Sequence, residues 1–203
     1  MTRLLPIVIG ALLLLHALPL SAGYRAPRRS HAQVSYAIRS EGVSEGTAKA
    51  WARILVKVAE DYNFDPLTGW AIIAHESHWR PGAVGAGKDI GLAQIRYTVS
   101  SRCHDPESEA CRAWRDALFD PATNMRQMAT AIDQWRKTCK KRTGKADLKH
   151  VLQGYGGYSR GPILCGRQKV KGRWRDLPVP KAVQDILRAR HAMIRTLSQK
   201  RIR

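Results

Sequence analysis

A single glutamate, Glu76, stands near the end of an apolar stretch and is followed by a glycine-rich segment and then Gly91-Leu92-Ala93-Gln94. Asp65-Pro66 opens the stretch as a helix start, with Asp as N-cap and Pro at the first helical position, and the helix must end before Pro81. Trp70, Ile73 and Ala74 give it an apolar face. Glu76 thus falls in or near the last turn, where the negative end of the helix dipole disfavours an ionised carboxylate. The apolar neighbours add a desolvation cost of the same sign. A carboxyl group kept protonated near neutral pH is the general acid that glycosidic cleavage needs. On its own, a glutamate on a helix is more often an ordinary surface residue than a catalyst.

The neighbouring side chains sharpen the chemistry. Asp89 is the sole acid in the loop after Glu76, and it reads either as a second carboxylate or as a loop-fixing hydrogen-bond acceptor. Gln94 reads either as a cleft-facing amide or as a bridge between loop backbones. Gly82, Gly85, Gly87 and Gly91 permit tight turns and close approach of backbone to a ligand. His75 and His78 flank Glu76, but the zinc-protease helix needs its two His four residues apart, so no metal site is read here.

Glu76-Ser77 followed by Gly91-Leu92-Ala93-Gln94-Ile95 resembles the soluble lytic transglycosylases of the lysozyme-like superfamily. Phe119-Asp120-Pro121-Ala122-Thr123-Asn124 is similar to that family's third motif, and Gly154-Tyr155-Gly156-Gly157 to a fourth, in which the family usually has Ala-Tyr-Asn. Asp89-Ile90 before Gly91 resembles the small transglycosylases associated with secretion and conjugation machines. The resemblance implies a mainly α, lysozyme-like single domain (the goose-type lysozyme and SLT class) with a glycan-binding cleft. It implies Glu76 as catalytic acid and then base, Ser77 holding it by a hydrogen bond, and Gln94 lining the cleft. Tyr155 would touch the sugar or the carboxyl group, and Asn124 would partly fix the active-site loops. Gly156 stands where the family has Asn, so that amide is absent or replaced.

The implied reaction cleaves the bond between N-acetylmuramic acid and N-acetylglucosamine in peptidoglycan and leaves a 1,6-anhydro end, with no cofactor. A hydrolytic glycosidase needs two carboxylates, and only Glu76 has motif support. Hydrolysis in the manner of a goose-type lysozyme, with Asp89 as helper, is the nearest alternative. A non-enzymatic wall-binding or secretion-associated protein is a second, and a basic nucleic-acid-binding protein trails both.

The positioning elements are expected to be helices. One starts near Ser44 with Trp51, Ile54, Leu55 and Val58 on one face and stops around Asn63; Trp51 reads as core. A short helix is expected between residues 106 and 118. A clearer one begins at Asp120-Pro121, with Met125, Met128, Ala129, Ile132 and Trp135 at helical spacing. Leu148, Val151 and Leu152 begin another. Residues 159–178 read as a basic loop, with Trp174 either anchoring it or stacking on sugar. The last helix starts near Pro180, with Val183, Ile186, Leu187, Ile194 and Leu197 inward and Arg188, Arg190 and Arg195 outward.

Residues 1–22 have the layout of a secretory signal peptide: Arg3, an apolar run, then Ser21-Ala22. Residues 23–43 read as a basic, loosely structured lead-in, and residues 44–203 as the domain. Export to the periplasm or exterior fits four cysteines in disulfides. Three pairings are open, free thiols and zinc are the alternatives, and Cys103–Cys111 with Cys139–Cys165 is favoured because each closes a local loop. Thirty-five Lys and Arg against 16 Asp and Glu give a net charge of +19, which favours an anionic partner such as cell-wall polymer. No nucleic-acid-binding motif is present, and a monomer is expected.

Overall fold

The computed structural model describes residues 26–86, 88–99, 103 and 105–200. Residues 1–22, where an export signal is expected, and Gly87 lie outside the described residues. The described chain forms seven helices and five short strands: α1 (His31–Arg39), α2 (Glu45–Asp61), α3 (Pro66–Ser77), β1 (Asp89–Ile90), β2 (Ile95–Arg96), α4 (Glu109–Ala117), α5 (Pro121–Thr143), α6 (Leu148–Tyr155), β3 (Ile163–Leu164), β4 (Arg167–Val170), β5 (Arg173–Asp176) and α7 (Lys181–Lys200). Among these residues no helix is long and apolar enough to cross a membrane.

Helix α3 is the axis. Every residue from Pro66 to Ile73 is buried, because α1, α2, α5 and α7 all pack around it. A helix that is apolar on all sides has no solvent face to lose, so its register is fixed by its neighbours. Gly69 lets them approach: a Cβ there would lie 2.7 Å from a Leu55 methyl and 2.8 Å from that of Met128. The start of α3 is clamped ionically. Asp65 Oδ1 accepts from Leu67 N at 3.0 Å, while its carboxylate pairs with Arg29 at 3.3 Å and Arg190 at 2.8 Å. Arg190 also donates to Thr68 Oγ1 at 3.1 Å. The Asp65 side chain is only 1% exposed, so these partners replace the water it gives up. Arg190, expected to face outward, is instead drawn in by this buried carboxylate.

A second correction concerns the lead-in. Within residues 23–43 the chain forms α1, capped by a Ser30–Gln33 capping box, and buries Val34, Ala37 and Ile38 in the main core. Trp70 Nε1 donates to Ala37 O at 2.8 Å, which locks α1 to α3. The pattern of Val34, Ala37 and Ile38 at helical spacing is too short to stand out beside the basic residues before it.

A third correction concerns residues 159–178. They form an antiparallel sheet in the order β3-β4-β5, with Leu164 opposite Arg167 and Val170 opposite Arg173. Each hairpin turns on two residues with positive φ, Cys165-Gly166 (53° and 67°) and Lys171-Gly172 (47° and 78°). Such primed turns match the twist of the strands they join. The two Xaa-Gly pairs were the available signal. Arg167 holds the sheet to the end of α5, donating to Asp176 Oδ1 at 2.7 Å and Thr143 O at 2.5 Å. Trp174 lies half-buried on this sheet, opposite Lys169.

Both disulfides pair as favoured. Cys139–Cys165 joins α5 to the β3–β4 turn, and Cys103–Cys111 joins the segment after β2 to α4. Cys103, Cys111, Trp114 and Leu118 form with Ile90 and Tyr97 a small second core beneath the β1–β2 hairpin.

Because α1 belongs to the core, Ile38→Ala is expected to lower the stability measured by urea unfolding by about 2–4 kcal/mol; a loose lead-in would give almost no change.

Candidate active site

Glu76 is carried in the last turn of α3, and the helix stops directly after it because His78 turns left-handed (φ 52°) and donates its N–H to Ala74 O. The carboxyl group is half-buried and has no hydrogen-bond partner among the described residues. Burial, and secondarily the negative charge of Asp89, push it up to about 7 from an ordinary 4.5. Both causes disfavour the carboxylate, and among the described residues no cation offsets them. Near neutral pH the group is therefore divided between acid and base forms, the condition for giving and then recovering a proton.

Beside it, residues 83–96 fold back as a hairpin. Gly91 N donates to Ala83 O and Gly85 N to Asp89 O, each at 2.8 Å, and β1 pairs with β2. Gly91 is obligatory on two grounds. Its φ is 76°, and a Cβ there would sit 2.3 Å from Asn124 Nδ2 and 2.5 Å from Leu118 O.

Asn124, on the first turn of α5, has no exposed surface. Its Oδ1 accepts from Ala93 N at 2.8 Å, and its Nδ2 donates to Ile90 O at 2.9 Å and Leu118 O at 2.8 Å. The side chain ties the hairpin to α5 and to the end of α4, so its role is in the loops and it is out of reach of a substrate. Tyr155, at the end of α6, donates its hydroxyl to Ala93 O at 2.8 Å. It therefore binds the hairpin backbone rather than the Glu76 carboxyl. Burial and the charges of Glu76 and Asp89 hold its hydroxyl well above the ordinary value, so it stays a donor.

Gln94 resolves toward the structural alternative. Its Nε2 donates to Gly91 O at 2.9 Å and Ala83 O at 3.3 Å, closing the base of the hairpin. Its Oε1 occupies the space that a Cβ on Gly85 would need, 2.5 Å away. Ser77 departs from the expectation that it holds Glu76. It is fully buried, and its hydroxyl donates back to Ile73 O at 3.3 Å. One turn back along the helix, the carbonyl that already accepts the Ser77 N–H has a second lone pair to offer a buried serine hydroxyl.

Asp89 is fixed by a residue that sequence reasoning passed over. Arg96, opposite it in the register, donates Nε to Oδ1 at 2.9 Å and Nη2 to Oδ2 at 3.0 Å. The signal was an opposite-charge pair placed symmetrically about the Gly91–Gln94 turn. Gly156 is the exposed cap of α6, and a Cβ there would come 2.9 Å from the Tyr158 ring. Tyr158 thus crowds the position where the resembled family carries its Asn side chain. A groove of 540 Å³ opens there, lined by Gly156, Gly157, Tyr158, Arg160, Ile163 and Leu177.

Glu76, Asp89 and Tyr155 are brought together, with Gln94 and Asn124 supporting the hairpin from within and Ser77 set apart. No cluster of three His, Cys, Asp or Glu suited to a metal is found among the described residues. A family model described as the transglycosylase SLT domain matches residues 54–175, which run from α2 to β5 and include every residue of this site. Comparison with curated proteins and with solved structures gave no match.

Asn124→Ala strands the Ala93 N–H and two carbonyls in the interior. It is expected to cost about 2–4 kcal/mol in denaturant unfolding. Hydrogen exchange at the Ala93 amide should accelerate in parallel; a surface-like cost below about 0.5 kcal/mol would contradict this placement.

Proposed function

The chain belongs to the transglycosylase SLT domain family, and on that premise we propose that it is a peptidoglycan lytic transglycosylase in which Glu76 does the proton transfers. The family supports action on peptidoglycan glycan strands of the transglycosylase type. The observation that carries the finer reading is Glu76 itself: a half-buried carboxyl, unpartnered among the described residues and raised to about 7 by burial and the charge of Asp89.

In the proposed reaction, protonated Glu76 gives its proton to the oxygen linking N-acetylmuramic acid to N-acetylglucosamine. The bond to the anomeric carbon breaks, the glucosamine-side product leaves as an alcohol, and positive charge develops on the muramoyl ring. Glu76, now ionised, removes the proton from the muramoyl C6 hydroxyl as that oxygen closes on the anomeric carbon. The product is a 1,6-anhydro ring, and Glu76 returns to its protonated form. The acceptor is part of the substrate, so a second free carboxylate to activate water is not required, and holding the C6 hydroxyl close supplies much of the rate. A carboxyl group at about 7 suits both steps, since neither proton transfer is strongly uphill.

The remaining residues serve that centre. Tyr155 and Asn124 fix the hairpin through Ala93, and the hairpin fixes Asp89 beside the acid. The net charge of +19 would draw the protein to an anionic wall. Export by residues 1–22 to the periplasm or exterior, and service to an envelope-spanning secretion or conjugation machine, complete the reading as proposals. Hydrolysis is the second reading, favoured by one observation: Asp89 lies near enough for its charge to act on Glu76.

Purified peptidoglycan digested by the mature protein should yield anhydro-muramoyl ends by mass spectrometry, and Glu76→Gln should yield none while keeping the wild-type fold. Reducing ends, one water heavier, would favour the hydrolase. Undiminished turnover by Glu76→Gln would remove Glu76 from the reaction.

A further inference from the structure

The Asp89–Arg96 pair has a geometry that stability alone does not explain. The two residues are directly opposite across β1 and β2, so their side chains leave the hairpin on the same face. Both Asp89 oxygens are engaged by the Arg96 fork, at 2.9 and 3.0 Å, in the two-pronged arrangement that fixes a carboxylate in direction as well as in place. The Arg96 side chain is 49% exposed and that of Asp89 23%, and pairs this open to water add little to folding. The hairpin is already secured by Asn124, Tyr155 and Gln94. What the fork adds is control of a second carboxylate beside Glu76.

A free carboxylate at that place has a chemistry of its own. Once the glycosidic bond has broken, it could accept a proton from a water whose oxygen attacks the anomeric carbon. The product would be a reducing end, with the water proton on Asp89 and the leaving sugar already protonated by Glu76. The rival path uses the muramoyl C6 hydroxyl in place of water and needs no base but Glu76. With one lone pair on each Asp89 oxygen taken by the Arg96 fork and the carboxylate held in the direction the fork sets, the water path lacks a base free to turn toward the water.

We propose that Arg96 decides the fate of the cleaved glycan: by holding both oxygens of Asp89 it keeps that carboxylate from activating water and leaves the C6 hydroxyl as the acceptor. Arg96 is on this account a positioning residue that sets product specificity through Asp89. The inference rests on the transglycosylase reading of the preceding subsection and deepens it.

The test is the ratio of reducing to anhydro ends released from purified peptidoglycan by the full mature protein, which a general loss of stability or activity would leave unchanged. Wild type is expected to give anhydro ends almost alone. Arg96→Gln should raise the reducing fraction severalfold, and Asp89→Asn combined with Arg96→Gln should restore the wild-type ratio. Arg96→Lys, which keeps the charge without the fork, should fall between, and it carries the test should Arg96→Gln fail to fold. A folded Arg96 variant with the wild-type ratio overturns this inference and leaves the transglycosylase reading standing. A reducing fraction that stays raised in the double variant overturns it as well, because Asp89 would then not be the base. Reducing ends alone from wild type would overturn the transglycosylase reading and this inference with it.

Discussion

The structure depends on keeping one carboxyl group in a place where its charged form is poorly accommodated. Glu76 sits at the end of a helix whose other residues are almost all interior, with no donor among the described residues to neutralise it and Asp89 close by. Water would restore its ordinary acidity, so the surroundings must exclude water without supplying a cation. The rigidity of α3 meets the first demand. Its start is anchored by the Asp65–Arg29–Arg190 cluster and its flanks by four other helices. The last turn, where Glu76 must stand, is thereby set by contacts made several turns away.

The hairpin meets the second. It is braced by backbone groups and neutral amides, and the charge it brings to bear on the acid is the like charge of Asp89. Asn124 spends all its main hydrogen-bonding capacity on three backbone groups, and Tyr155 and Gln94 spend theirs on three more. Gly91 is the place where hairpin and Asn124 come closest, and any side chain there would push them apart. A small core of its own, stapled by Cys103–Cys111, supports the hairpin from below. Arg96, opposite Asp89 on the hairpin, gives its charge to that carboxylate.

Much of this was legible in the sequence. Asp65-Pro66 and Asp120-Pro121 mark helix starts through capping chemistry that needs no tertiary context, and both open helices where read. The spacing of Met125, Met128 and Ile132 likewise gave the buried stripe of α5. Contacts between distant segments were not legible. That Arg190 turns inward depends on the buried carboxylate of Asp65, 125 residues away in the chain. Whether Gln94 faced the cleft or the loop depended on a gap left by Gly85, which spacing does not reveal. Ser77 followed the local rule for a buried helical serine, returning to its own helix rather than to its neighbour. The sheet of β3–β5 escaped because its turns use Cys-Gly and Lys-Gly in place of the more telling Asn-Gly.

The most direct test of this account is a carbon-13 NMR titration of the Glu76 side-chain carboxyl in the folded protein. A midpoint of about 7 is predicted, with the acid form lost as pH rises through that value. Replacing Asp89 by Asn should lower the midpoint by removing a like charge, while burial keeps it above the ordinary range. A midpoint near 4.5 in the wild type would mean that water or a cation reaches the carboxylate, and the central claim of a protonated acid held by burial would be wrong.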